Sequence, residues 1–304
     1  MPPLLLGVSR IWDQGAHNAF TDLIRWRNQW YCTFREAADH VGDDGRIRVL
    51  SSSDGVDWAP AALIGEPGID LRDPKLSITP DDRLMIVAGG SVYDVERYVG
   101  RQPRVIFSSD GRVWSTPHRI LGEGDWLWRV IWHDGQAYGV TYRTPAAEWT
   151  TTLVSSADGL TFEEITTFAV PGHPNETTVR LLPDGTMVAL VRREAGNRLA
   201  WVGRSRAPYT SWTWRELPQR IEGPNFIRLP GGDLYAAGRN YPDGPRTVVG
   251  RLTLDGGYEP MLTLPSGGDT SYPGMVWDQD VLWLSYYASH EGKTSIYLAR
   301  VSVA

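Results

Sequence analysis

Three arginines, Arg35, Arg192 and Arg239, each stand seven residues after a polar or glycine turn, at the far end of an apolar run. The turns centre on Asn28, Gly185 and Gly232; the same step from Asp82, Gly135 and Gln279 reaches Gly89, Tyr142 and Tyr286. A guanidinium fork makes paired, charge-assisted bonds to a carboxylate, so three forks at one register suit a planar anion at a shared point. A second register, about eight residues ahead of each turn, holds Asp73, Glu176 and Tyr272, with Phe20 and Trp126 in the same place in two further units and Asn225 near it in another. A carboxylate beside a phenol can take the phenol's proton as its oxygen attacks carbon. A phenol that is neutral until that moment also escapes the repulsion an anionic nucleophile meets when the substrate carries a carboxylate at the reacting carbon.

These residues meet only if the chain repeats radially. The six turns recur about every 50 residues, and strand-forming runs such as Arg46 to Leu50, Leu84 to Ala88, Ala137 to Tyr142, Met187 to Val191, Leu234 to Ala237 and Leu282 to Tyr287 lie between Asp-Gly, Gly-Gly and Pro-Asp-Gly turns. Helical periodicity is almost absent. An all-β repeat of this length predicts a six-bladed β-propeller with about four strands per blade, residues 1–304 forming one domain. In such a wheel the innermost strand of each blade lines the axis. The start of the first strand and the end of the second then share one face, which gathers Arg35, Arg192, Arg239, Asp73, Glu176 and Tyr272.

A second repeat is in phase with the first. Ser52-Ser53-Asp54-Gly55-Val56-Asp57-Trp58 returns as Ser108-Ser109-Asp110-Gly111-Arg112-Val113-Trp114 and as Ser156-Ala157-Asp158-Gly159-Leu160-Thr161-Phe162. The pattern is a hairpin turn: Asp bonds nearby N–H groups, Gly takes the positive φ and the aromatic ring fills the blade. These three segments resemble the Asp-boxes of the sialidase (neuraminidase) superfamily, whose fold is a six-bladed β-propeller. Asn175-Glu176-Thr177-Thr178-Val179 with Arg192 is similar to the sialidase segment bearing the catalytic glutamate and second arginine. Arg239 resembles the third arginine, and Tyr272 in Asp269-Thr270-Ser271-Tyr272 resembles the nucleophilic tyrosine. The family's first-blade Arg-Ile-Pro is not present; Asn18-Ala19-Phe20-Thr21-Asp22-Leu23 stands there, and Arg35 is the substitute from the neighbouring strand. The family's acid, an aspartate before the first Asp-box, corresponds to the loop Arg35-Glu36-Ala37-Ala38-Asp39-His40. Asp39, Glu36 and His40, with Asp73 from blade two, are all open as the general acid.

The resemblance implies an exo-acting, retaining glycoside hydrolase for a sugar that carries a carboxylate, sialic acid or a related 2-keto-3-deoxy sugar acid. Two alternatives stand beside it: an anionic-glycan-binding propeller without hydrolysis, and a hydrolase or lyase for uronic acids that uses Asp73 and Glu176 as its carboxylate pair. No cofactor is implied, and His17, His40, His133 and His173 show no metal-ligand spacing.

Composition narrows the field further. The net charge of −6, with no basic block, argues against a nucleic-acid partner. Fourteen Trp and thirteen Tyr against six Phe favour surfaces where an aromatic ring carries a polar handle, as sugar-facing clefts do. The one cysteine, Cys32, sits in an apolar run and is expected to be an inert core residue. No run approaches a membrane span, and Met1 to Leu6 is too short and uncharged for a signal-peptide core, so a cytoplasmic location is expected.

Overall fold

Alternating apolar residues and tight turns fold each unit of about 50 residues into a four-stranded antiparallel meander. A computed structural model describes residues 3–42, 45–94, 97–145 and 147–303, and its regular elements are all strands, in six four-stranded sheets. The first strands of the blades are His17–Trp26, Asp70–Ile78, Trp126–His133, Pro174–Leu181, Glu222–Arg228 and Thr270–Asp278. Each touches the first strand of the blade on either side, so together they form the ring around the axis. The architecture is the six-bladed β-propeller that the repeats predict. The last blade is closed by the chain's beginning: Leu4–Trp12 pairs antiparallel with Ser295–Ser302 as its outer strand.

Apolar side chains of neighbouring sheets interdigitate between the blades. One cluster joins blades one, three and six through Trp30, Phe34, Trp128, Tyr272, Trp283 and Tyr287. Cys32 is buried in it, and burial pushes its thiol pKa up, away from reactivity. The three Ser-x-Asp-Gly turns form as the pattern requires. Asp54 Oδ1 accepts the N–H groups of Val56 and Asp57 at 2.8 and 3.0 Å, and Asp110 and Asp158 repeat the arrangement. Gly111 shows why the turn needs glycine: its φ is +73°, and a Cβ there would lie 2.3 Å from the Tyr31 ring.

One feature of the ring strands aims the chemistry. In all six blades the pairing of first and second strands slips by a bulge, between Ala19 and Asp22, Arg72 and Lys75, Leu127 and Val130, Pro174 and Thr177, Glu222 and Asn225, and Ser271 and Gly274. A bulge turns side chains out of the regular alternation. Phe20, Asp73 and Tyr272 occupy the bulge with φ of 65°, 50° and 54°, and Gly223 does so at 57°. Left-handed backbone at a non-glycine residue costs on the order of 1–2 kcal/mol, and three such residues meet at one end of the axis.

Candidate active site

Glu176, Tyr272 and Arg192 form the centre. The Tyr272 hydroxyl donates to Glu176 Oε1 at 2.7 Å. Arg192 Nη1 donates to Glu176 Oε2 at 2.7 Å and to the Tyr272 oxygen at 2.9 Å, while the Gly223 N–H donates to Glu176 Oε2 at 2.9 Å. All three side chains are largely buried, and the phenol's pKa is raised well above its ordinary value, first by burial and then by the Glu176 charge, so Tyr272 rests neutral. This is the second register expected from sequence, brought together by blades four and six.

Arg239 joins them through Glu222, which the sequence reading missed. Its Nη1 donates to Glu222 Oε2 at 3.0 Å, Tyr241 donates to the same oxygen at 2.6 Å, Arg220 contacts Oε1 and Arg192 Nη2 lies 3.8 Å from Oε2. Glu194 contacts Arg192 from the other side. Three guanidiniums therefore face three carboxylates. Burial opposes the ionisation of Glu222, but Arg192, Tyr241, Arg239 and Arg220 more than offset it and hold the carboxyl below its usual range. In blade five the bulge puts Glu222 and Gly223 at the site and carries Asn225 deeper, where its side-chain N–H donates to the Pro273 carbonyl. In blade three the same effect sets Trp128, rather than Trp126, against the Tyr272 ring, with centroids 5.6 Å apart.

Blade two contributes Asp73. Its carboxyl is buried, Oδ1 has no hydrogen-bond partner among the described residues, and its charge is felt by Tyr272 and Tyr142. Burial raises its pKa; Lys75 and Arg72 oppose the rise and Glu176 adds to it. Lys75, one of two lysines in a chain whose other 28 basic residues are arginine, is itself buried. Its amine donates to the Thr21 carbonyl at 3.1 Å and stands 4.9 Å from the Trp128 ring centre and 5.8 Å from that of Tyr272. Burial, then Arg129, lowers its pKa to about 8. Nothing in the repeat singled Lys75 out, since it lies just past the bulge.

The rim between blades one and six holds His17, His40, Asp269 and Tyr287. Tyr287 donates to Asp269 Oδ1 at 2.9 Å and accepts from Arg239 Nη2 at 3.1 Å. Tyr286, the residue at the seven-step register, points away and donates to the Pro265 carbonyl. The reason is one residue of turn: Gln279 and Asp280 both have positive φ, as do Arg27 and Asn28, so Gln279 matches Arg27 and the step from it is eight. A slip of one exchanges the faces of a strand.

Arg35 does not face the funnel. It is fully buried, with Nε donating to Asp70 Oδ1 at 2.6 Å and Nη1 to the Asp39 carbonyl at 2.6 Å. Asp70, at the start of blade two, draws the guanidinium between the blades, and Arg72 shares the same carboxylate. Phe20 holds the first-blade position, its ring 5.2 Å from Tyr272 and 5.5 Å from Tyr287. Without Arg35 the Asp70 carboxylate keeps Arg72 as its charged partner but loses a charge-assisted hydrogen bond, so Arg35→Met is expected to lose about 1.5–3 kcal/mol of unfolding free energy in urea titration, with KM for a hydrolysed glycoside unchanged. A raised KM at unchanged stability would return Arg35 to the binding site.

Of the four candidate acids, Asp73 alone reaches the centre. Asp39 is exposed and accepts the His40 N–H; Glu36 is engaged with Trp12 and Arg48; His40 sits on the rim against Asp269. Clefts of about 420 Å3 beside Gly45, Glu66 and Ile69, and of about 440 Å3 beside Tyr98, Arg101 and Arg143, are lined by none of the central residues.

No family model matches the chain, and no curated protein does. Solved structures do match. A protein of unknown function from Dyadobacter fermentans is 20% identical over 100% of both chains, with a TM-score of 0.90. Trypanosoma rangeli sialidase in complex with the inhibitor DANA is 12% identical over 98% of this chain and 60% of its own, at 0.75. An α-L-arabinofuranosidase from Fusarium graminearum, in complex with an iminosugar inhibitor, is 12% identical over 97% of both, at 0.77. The chain therefore has the sialidase-like six-bladed propeller fold. At these identities the likeness is one of fold, and what the site does must be argued from its own residues.

Proposed function

We propose that the chain is a retaining exo-glycoside hydrolase, with Tyr272 as nucleophile, Glu176 as its base and Asp73 as the general acid. The observation that carries the reading is the 2.7 Å hydrogen bond from the Tyr272 hydroxyl to Glu176, held between Arg192 and the Gly223 N–H. In the first step the phenol oxygen bonds to the anomeric carbon and Glu176 takes its proton. The bond to the leaving oxygen breaks, and Asp73 protonates that oxygen. In the second, Asp73, now a carboxylate, takes a proton from water as the water attacks the same carbon; the phenol oxygen leaves and recovers its proton from Glu176. Two displacements at one carbon restore its configuration.

The substrate in this reading is a glycoside of a sugar acid whose carboxylate meets Arg192 and Arg239. Both side chains retain some exposure, 12% and 16%, to receive it. That two similarly folded proteins are described as a sialidase and an arabinofuranosidase supports glycoside chemistry. A second reading is favoured by the carboxylates of Glu222 and Glu194, which already neutralise the two arginines. There the sugar is neutral, Glu176 attacks directly and Tyr272 only donates to it.

The test is a panel of sugar-acid ketosides, α-L-arabinofuranosides and uronides followed by 1H NMR. The first product from a sugar-acid ketoside is expected in the anomeric configuration of the substrate. Product from arabinofuranosides alone would select the second reading. Binding without product, or an unsaturated uronide, would overturn both.

A further inference from the structure

His17, His40 and Asp269 come from the start of blade one, the loop after its second strand and the loop leading into blade six. Separated in sequence, they converge in space: His17 Nε2 lies 3.0 Å and His40 Nδ1 2.7 Å from the same oxygen, Asp269 Oδ2, and the three ligand atoms lie within 4.8 Å of one another. We propose that these three residues form a divalent-metal site of the zinc type at the funnel rim, with at least one coordination position open toward the funnel.

The donor set suits a borderline ion, two imidazoles and one carboxylate. A tetrahedral ion with bonds of about 2.0–2.1 Å holds its ligand atoms roughly 3.3 Å apart, so an ion fits if the contacts of 3.0 and 2.7 Å open toward that spacing and the two imidazole nitrogens, within 4.8 Å of each other, settle to it as well. The supports are built. Asp269 Oδ1 accepts from Tyr287, leaving Oδ2 for the ion, and the Asp269 N–H donates to Ser289 Oγ at 2.9 Å. The His40 backbone is tied at both ends, its N–H to Asp39 Oδ1 and its carbonyl to Arg72 Nη1 at 2.7 Å. Without an ion the Asp269 carboxylate accepts from His17 Nε2; His17 Nδ1 is buried with no partner among the described residues, so it is free to carry the ring's proton once Nε2 turns to the ion. The nearest cation, Arg239 Nη2, stands 3.6 Å from Oδ1 rather than Oδ2, and its guanidinium is already paired with Glu222. His17 is buried, whereas the His40 side chain is 44% exposed and that of Asp269 27%, so the ion can be reached from solvent.

The site lies beside Phe20, whose ring is 5.3 Å from that of His40, where the first blade presents no arginine. Resting on the hydrolase reading above, the ion is the third cation of the funnel: its open position takes a carboxylate or hydroxyl oxygen of the glycoside. The site itself does not depend on that role.

Cobalt(II) reads the site without any substrate. Chelator-stripped wild-type protein titrated with Co2+ is expected to bind one equivalent with visible d–d absorption, reversed by Zn2+. His40→Ala and Asp269→Asn, shown by circular dichroism and thermal melting to be folded, are expected to weaken binding by more than about tenfold. Absence of a saturable one-equivalent phase in wild type, or wild-type affinity in folded His40→Ala, would overturn the site. A bound ion in a protein inert toward the whole glycoside panel would keep the site and remove only the hydrolase role.

Discussion

Tyr272→Phe is expected to reduce kcat/KM for a sugar-acid ketoside by at least about 10³-fold, close to 4 kcal/mol of transition-state stabilisation, with a melting temperature near that of wild type. The two effects separate because the hydroxyl is one hydrogen bond among several. Without it Glu176 keeps Arg192 and the Gly223 N–H, and the ring keeps Phe20, Trp128 and Tyr287. A lost hydrogen bond to a charged group costs about 1.5–3 kcal/mol, a few degrees of melting temperature in a chain of this size, whereas a lost nucleophile removes the covalent step. Mechanism-based labelling with a fluorinated sugar acid, followed by peptide mass spectrometry, is expected to mark Tyr272. A label on Glu176, with only about a tenfold loss in Tyr272→Phe, would sink the phenol as nucleophile and leave the direct carboxylate attack.

Asp73→Asn is expected to slow hydrolysis of substrates with poor leaving groups by about 10²–10⁴-fold, the range for a general acid. Aryl glycosides, whose leaving oxygen needs little protonation, should suffer much less. The same change is expected to stabilise the fold. Burial raises the Asp73 pKa above its unfolded value, so the folded chain holds the proton more tightly and loses stability as pH rises from the unfolded pKa through the folded one. The gain in Asp73→Asn should therefore be present at neutral pH and fade in acid below the unfolded carboxylate range. The wild-type rate must fall on the alkaline side as Asp73 ionises. Because Lys75 lowers the Asp73 pKa, Lys75→Met should move that alkaline limb to higher pH. An unmoved limb, or equal losses for aryl and alkyl glycosides in Asp73→Asn, would remove Asp73 as the acid.

The wheel was legible because it repeats: six turns and three Ser-x-Asp-Gly hairpins recur in phase, and each is a local matter of residue type. Glu176, Tyr272, Arg192 and Arg239 were legible for the same reason, since equal offsets in equal units end on one face. What escaped was whatever broke the offset or came from outside it. The bulge exchanged Asn225 for Glu222 and Trp126 for Trp128, and the two-residue turn at Gln279-Asp280 exchanged Tyr286 for Tyr287. Arg35 kept its register and still left the funnel, because its partner Asp70 lies 35 residues away and nothing local announces it. The His17, His40 and Asp269 cluster has no spacing to read, since its members meet only through the closed ring.

That ring is fastened by Leu4–Trp12 lying along Ser295–Ser302. The residues assigned to the reaction come from blades two, four and six, and their rim neighbours from one and five, so no arc shorter than five blades contains a working set. A chain emerging from synthesis must wait for its final strand before its first can be seated. The clasp and Tyr272 belong to the same sheet, at its outer and inner edges: in the hydrolase reading, a nick that freed the opening segment is expected to loosen the blade that carries the nucleophile without touching one reacting atom.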